Sequence, residues 1–476
     1  MSTVSLVRWP GDDREEGILL TPPRLALEQG ALSNASVRTA APAERDAETG
    51  GLGPGWRRAF RALGHRNYRL YFAGQLVSLI GTWMQSVAQS WLVYRLTGSA
   101  TLLGVVGFAS QVPTFLLAPA GGVLADRWPR RRILVATQAV SALLALGLAV
   151  LTLSGRITVP ALLVIAGLLG VVNAMDIPAR QAFVVEMVGR EDLINAIALN
   201  STAFNGARVV GPAVAGLLVA AIGEGWCFLV NSVSFLAVIG SLLRMRLAAA
   251  PPRPAHSPLF ESAIAGFRYV AATRPVRALL LLLGLVSFTG MPYVVLMPIF
   301  ADRILGGGPS GLGILMGATG VGALGGALAL AARERVSGLG KWVAVSAGGF
   351  GLALIGFSAS RTFWLSAALL VPVGFFLMSQ MAASNTLIQS MVPDAFRGRV
   401  MALYAMMFMG MAPFGALVSG AAADRFGAPL VVAAGGALCG LGAIGFARRL
   451  PHLRAAARAL MPRPPDATAG SPGELP

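Results

Sequence analysis

Charge is scarce in this chain of 476 residues: Asp, Glu, Lys and Arg together make up 12%. Soluble domains carry about 25%. With 55% hydrophobic residues and a mean hydropathy of +0.69, the shortage excludes an ordinary soluble fold. Lysine is nearly missing: Lys341 is the single one, in Gly340-Lys341-Trp342. No glycine-rich phosphate loop ending in Lys-Ser or Lys-Thr is therefore present, and the chain does not read as an ATP-driven pump. Two cysteines, Cys227 and Cys439, both fall in apolar segments. They make no disulfide framework and no zinc spacing, and read as small packing residues. The three histidines (His65, His256, His452) fall in polar segments. No Ser-His-Asp, Cys-His or His-metal grouping appears, so no enzyme, metal site or cofactor is implied.

What the chain has in quantity is apolar length. Its apolar segments run to about 20 residues, enough for a helix to cross about 30 Å of hydrocarbon. Twelve spans are predicted, near 70–93, 102–124, 133–153, 160–178, 195–221, 225–243, 276–299, 311–332, 342–359, 363–383, 400–422 and 429–447. The fold expected is an all-α membrane protein of two pseudo-symmetric six-helix bundles, 56–243 and 276–447. A linker at 244–275 carries Pro251, Pro252, Pro254 and Pro258. Residues 1–55 are polar and without amphipathic period, so they read as a disordered tail. They lack a basic segment followed by an apolar one, so no cleaved signal peptide is expected there. Residues 448–476 read as a second tail.

Arginine placement supports an even number of spans. The side holding both termini and the even-numbered loops carries 32 of the 38 Lys and Arg. The opposite loops hold Arg95, Arg156, Arg303, Arg361 and Arg425, and Arg208 falls inside a span. The positive-inside rule then puts both termini and the linker in the cytoplasm. The same distribution explains the net charge of +17 without a nucleic-acid partner. A shift of 204 residues carries Gly170, Met187-Val188, Gly206, Gly216 and Gly223 onto Gly374, Met391-Val392, Gly410, Gly420 and Gly427. A repeat at one offset implies two like halves.

One loop stands out: Gly121-Gly122-Val123-Leu124-Ala125-Asp126-Arg127-Trp128-Pro129-Arg130-Arg131-Arg132. Its order resembles the loop between the second and third helices of major facilitator superfamily transporters. With twelve spans and a repeat, the resemblance covers about residues 60–450. The stretch from Asn173 to Leu199 resembles the branch that holds the bacterial enterobactin exporter and macrolide efflux proteins. Three departures are visible. Pro129 stands where the superfamily loop usually has Gly. The fourth span lacks the membrane Arg of many proton-coupled drug antiporters. The second-half copy of the loop has Leu330 at the Asp126 position, followed by Arg333, Glu334 and Arg335.

The resemblance implies a gating loop of Gly122, Asp126, Arg127 and Arg130, with the Asp126 carboxylate facing the N-terminus of the eleventh helix in the outward-open state. A carboxylate is favoured at that positive end. The competing reading is that the arginines, Arg131 and Arg132 above all, only anchor topology. Gly206, Gly211-Pro212 and Gly216 in the fifth span resemble the Gly-Pro motif of superfamily antiporters; they imply a bend or a close helix approach. Arg208 is an intramembrane charge, expected either to pair with Asp176 or Glu186 or to snorkel to the interface. These three residues are the coupling candidates, Asp176 by elimination. Gln75, Ser78, Thr82, Gln85 and Gln89 lie three or four apart and share one face of the first span. That stripe lines a cavity or makes interhelical hydrogen bonds. Trp83, Asn173, Phe288, Ser379, Gln380 and Asn385 are further expected cavity residues, since the first, fourth, seventh and tenth helices line the cavity in this fold. Gly420 to Gly427 copies the gate spacing on the other face and reads as a helix-terminating loop.

These features predict a monomeric secondary transporter that exports a bulky small molecule, siderophore or drug-like, driven by the proton gradient. The alternatives are an importer or uniporter of the same fold, or a non-transporting receptor or scaffold. A scaffold gives no reason for an intact gate loop.

Overall fold

The computed structural model describes residues 60–246, 259–333 and 338–460. The expected tail 1–55, residues 247–258 of the expected linker, Glu334-Arg335 and residues 461–476 of the expected second tail lie outside them. Twelve long helices follow in order: α1 Arg66–Thr97, α2 Ala100–Arg127, α3 Arg130–Leu153, α4 Val159–Val188, α5 Leu193–Ile222 and α6 Glu224–Arg244 form the first half. In the second half come α7 Arg274–Ile304, α8 Gly308–Ala331, α9 Leu339–Ala359, α10 Phe363–Met391, α11 Asp394–Phe426 and α12 Ala428–Leu460. A shorter helix, Leu259–Ala272, precedes α7, so part of the expected linker is helical. Helix α12 continues to Leu460, past the expected end of the last span.

Eleven of these helices are long and apolar enough to cross a membrane. The exception is α1, whose polar stripe lowers its hydropathy although it has 32 residues. Local sequence explains the breaks between helices. Ser99 caps α2 by accepting the Leu102 N–H, and Thr158 caps α4 by accepting the Ala161 N–H, with Pro160 in the first turn. Between α1 and α2, Gly98 takes φ +61, a left-handed conformation that favours glycine and lets two helices follow with almost no loop.

The two halves repeat one packing scheme. Helix α2 packs on α4 and α8 on α10; α3 packs on α6 and α9 on α12. The repeated glycines make this possible. Gly170 faces the backbone of Ser110 on α2, and Gly374 faces the backbone of Thr319 on α8. A side chain at either would hit a carbonyl, so both close approaches need glycine. Across the halves, α5 lies on α8 and α2 on α11. Gly216 of α5 meets Gly313 of α8, and Gly104 of α2 meets Ala416 of α11.

Three π-helical turns interrupt the second half: Val286–Gly290 and Phe300–Ile304 in α7, and Met406–Gly410 in α11. Pro292 and Pro298 lie in the α7 stretch and Pro413 just after the α11 turn. Proline removes a backbone donor and crowds the preceding turn, and a π-turn absorbs the mismatch. These two helices frame the cavity below.

Candidate functional site: a central cavity and the two faces beside it

A cavity of about 160 Å³ lies between the halves. The first half contributes Trp83 from α1, Gln111 from α2, and Arg208 and Pro212 from α5. The second half contributes Met291 to Val295 and Met297 from α7, Met316 and Thr319 from α8, and Ala412 and Ala416 from α11. The wall is therefore apolar and rich in methionine, with one charge in it. The Arg208 guanidinium sits over the Trp83 ring, 5.8 Å from its centroid, a distance at which a cation is drawn to an aromatic face. Tyr293 lines the same cavity as Arg208 and Thr319, and its buried hydroxyl has no hydrogen-bond partner among the described residues. A larger recess of about 550 Å³ opens at the ends of α1 and α4, with His65, Arg66, Asn67, Met187 and Arg246 around it. All of it belongs to one half, so it offers no path between halves.

The face bearing Arg95, Arg156, Arg303, Arg361 and Arg425 is closed. There the Asp424 carboxylate, in the last turn of α11, accepts the N–H groups of Ala100 at 2.7 Å and Thr101 at 2.8 Å and the Ser99 hydroxyl at 2.7 Å. The stretch read as a helix-terminating loop is thus the end of a helix, and its acid caps the start of α2 in the other half. Nearby, the Tyr94 hydroxyl donates to Asp302 at 2.8 Å, and Arg303 donates to the Gly98 carbonyl at 3.3 Å. Arg303 also lies over the Tyr94 ring, and Arg95 pairs with Glu224 at 2.7 Å. Several of the few arginines on this face therefore hold the seal or the helix ends behind it.

The opposite, arginine-rich face is open. Five consecutive α2 residues, Leu116 to Ala120, are exposed. A lipid-facing helix keeps one side covered, so this stretch borders an opening. Asp126, at the end of α2, is 55% exposed, with Arg130 at 3.8 Å. Arg130 is buried and holds more: it donates to Glu186 at 2.5 Å and to the Ala125 and Ala182 carbonyls at 3.3 Å. Arg127 ends α2. Arg131 donates to the Leu243 and Met245 carbonyls, tying α3 to the end of α6. Of the glycine pair, Gly121 makes the close approach, against the Ala174 backbone, while Gly122 faces open space.

The structure pairs neither Asp176 nor Glu186 with Arg208. Asp176 is buried, bonded by Thr137 at 2.7 Å, Gln138 at 2.9 Å and Arg180 one turn on. Glu186 goes to Arg130. Arg208 has no acidic partner among the described residues. In the fifth helix, Gly211 packs on Trp83 and Ile80 of α1, Gly216 and Pro212 on Gly313, while Gly206 has nothing against it.

The α1 stripe divides. Gln85 accepts a hydrogen bond from Asn231 of α6 at 2.7 Å, so it joins two helices of one half instead of facing the cavity. Gln75 and Ser78 are buried, and Thr82 bonds back to the Ser78 carbonyl. Gln89 is part-buried, and of the α1 residues only Trp83 reaches the cavity. Ser379 and Gln380 of α10 are completely buried, the Gln380 amide without a hydrogen bond. Asn385 accepts from Gln389 on its own helix. Asn173 is exposed, and the Phe288 backbone packs on Gly415. The residues that line the cavity come largely from α5, α7, α8 and α11; Gly290-Met291-Pro292 and Pro298 were the visible signals in α7, and Gly410 with Pro413 in α11.

Two like bundles of membrane helices around a shared cavity, closed at one face and open at the other, define a transporter of the major facilitator type. Solved structures agree on the fold: a bacterial homologue of the human lysosomal transporter Spinster, inward-facing and unoccupied, has a TM-score of 0.62 at 15% identity, covering 87% of this chain and all of that one. A bacterial homologue of the iron transporter ferroportin, also inward-facing, has 0.61 at 16%, covering 81% and 99%. The chain belongs to the transmembrane secretion effector family, whose sequence profile matches residues 58–469. It is 27% identical over 362 residues to the staphyloferrin A transporter of Staphylococcus aureus, covering 75% of this chain and 90% of that protein. It is likewise 27% identical over 344 residues to the enterobactin exporter EntS of Shigella boydii serotype 4, covering 71% and 81%.

Proposed function

We propose that this protein exports a bulky, siderophore-like small molecule across the bacterial inner membrane, driven by the proton gradient, as a monomer working by alternating access. The arrangement of the central cavity carries this reading: the halves meet tightly on one side of it and part on the other. Arginine placement makes the open face cytoplasmic, with both termini on that side. The conformer is then inward-open, ready to take a solute from the cytoplasm. Rocking the halves about α2, α5, α8 and α11 would close that face and open the other. Asp126, exposed here, would then reach the N-terminus of α11, as Asp424 reaches that of α2 now. Release of Arg130 from Asp126 leaves it to Glu186, so the two acids share one guanidinium. That sharing supports Glu186 and Asp126 over Asp176 as the acids that feel the transition, because Asp176 is buried with Arg180, Thr137 and Gln138.

Proteoliposomes test the reading. With an imposed pH gradient, a panel of siderophores, macrolides and tetracyclines should include solutes that move against the proton flow. If every solute moves only down its own gradient, with no response to pH, the coupled reading is replaced by a uniporter. If nothing moves, the transport reading fails.

A further inference from the structure

We infer that Arg208 forms an anion subsite, and that the solute carries a carboxylate or comparable oxyanion which docks on it. The inference rests on the reading of the cavity as a solute site. A charge within a membrane helix is costly and is ordinarily paired. Glu186 and Asp176 are taken by Arg130 and Arg180, and Arg208 meets no acid among the described residues. Its guanidinium lies over the Trp83 ring. No group among the described residues accepts a hydrogen bond from the Arg208 guanidinium, whose N–H edge matches a carboxylate with two parallel hydrogen bonds.

The surroundings suit such a group. The buried Tyr293 hydroxyl, in the wall of the same cavity as Arg208, is a second donor in need of an acceptor. Gln111 adds an exposed amide at the cavity edge. Met291, Met297 and Met316 form an apolar wall that adapts to shape. The volume, about 160 Å³, is below the roughly 300–1,000 Å³ of a site that encloses a whole drug-sized ligand. It therefore fits one charged group with its adjoining ring or chain, the rest of the solute extending toward the open face. A cationic solute meets repulsion from Arg208 at the same place.

The test uses purified full-length protein in detergent and titration calorimetry with three matched probes: 2-naphthoate, 2-naphthamide and 2-naphthylmethylammonium. Naphthoate should bind about tenfold or more tighter than the amide, the amount a charge-assisted hydrogen bond supplies, and the ammonium weakest. Arg208→Gln should erase the preference for naphthoate while leaving amide binding. Tyr293→Phe, a milder change, should weaken naphthoate about threefold and spare the amide. Equal binding of naphthoate and amide to the wild type, or an undiminished preference in both variants, overturns the inference. Transport is not needed for the readout. A naphthoate preference in protein that moves no solute leaves the subsite standing and removes the transport reading, while coupled transport of cations alone does the reverse.

Discussion

Asp424 and Ala100, far apart in the chain, are joined by a hydrogen bond of 2.7 Å from the Ala100 N–H to the Asp424 carboxylate. The bond ties the last turn of α11 to the first turn of α2. Those two helices also carry the other expected latch, because Asp126 ends α2 and the α11 N-terminus begins near Asp394. One antiparallel pair thus has an acid at the C-terminal end of each member, Asp424 set against the positive N-terminus of α2 and Asp126 on the side where α11 begins. In the rocking motion proposed above, only one of the two contacts would be made at a time.

Asp424→Ala should loosen the closed face. Losing a side-chain cap costs about 0.5–2 kcal/mol, and about 1.4 kcal/mol shifts an equilibrium tenfold. A cysteine placed at Ala412, in the cavity, should then react several times faster with an impermeant thiol reagent applied from the arginine-poor face. Cys227 and Cys439 are buried and contribute little background. An unchanged rate would show that the cap is incidental.

The reverse is expected of Asp126→Asn. Without the charge, the state closed at the arginine-rich face loses its latch, so the open-inward state gains population. Labelling at Ala412 from the arginine-poor face should fall, and transport with it, while the amount of protein inserted in the membrane stays constant. Full transport by this variant reduces the loop to a topology signal.

The orientation has its own test. Arg132 and Arg156 are both exposed and lie at opposite ends of α3. Cysteines at these positions should label from opposite faces of right-side-out vesicles, position 132 only after permeabilisation. Labelling of both from the same side contradicts the span order, and an exchange of sides reverses the orientation.

Asp192, between α4 and α5, brings a pH dependence. Hydrogen bonds from His65 and then Arg61 hold its carboxyl below the ordinary 3.8. A depressed acid stabilises the folded state above its unfolded pKa, and the contribution fades as pH falls through the lower folded value. The thermal stability of the purified protein should therefore drop as pH is taken below about 4, and Asp192→Asn should flatten that part of the curve. A wild-type and variant that lose stability in parallel over this range would leave the pair without energetic weight.

Some of this architecture was legible in residue spacing and some was not. The offset of 204 placed Gly170 over Gly374, and both prove to be helix-crossing points, because a missing side chain leaves a mark in sequence wherever two backbones touch. Arginine counts distinguished the two faces for a similar reason: topology acts on composition. Partner choice left no such mark. Asp176 could reach Arg180 one turn away or Arg208 on another helix, and the shorter route along its own helix won. The α1 stripe had the right period for a single face, yet a polar face inside a bundle serves a cavity or a neighbouring helix equally well. Asn231 of α6 decided the matter for Gln85. Asp424 was the least visible, since an acid at a helix end looks like a terminator until the other half is brought against it.

The crossing of α5 and α8 supplies the hinge-side counterpart of these latches. A Cβ added to Gly313 would stand 2.5 Å from the Pro212 carbonyl and 2.9 Å from the Gly216 Cα. Both are backbone atoms, so neither can rotate away. Overpacking of this kind costs about 1–3 kcal/mol, and Gly313→Val imposes it only while the two helices are in contact at the arginine-poor face. The inward-open state should therefore lose population by about tenfold. Distances between spin labels across that face should lengthen, and Ala412 cysteine labelling from it should rise as with Asp424→Ala. Gly206→Val, on the same helix but with nothing opposite it, should leave both readouts where they were. If the two glycine variants behave alike, close approach at Gly313 does not control the equilibrium.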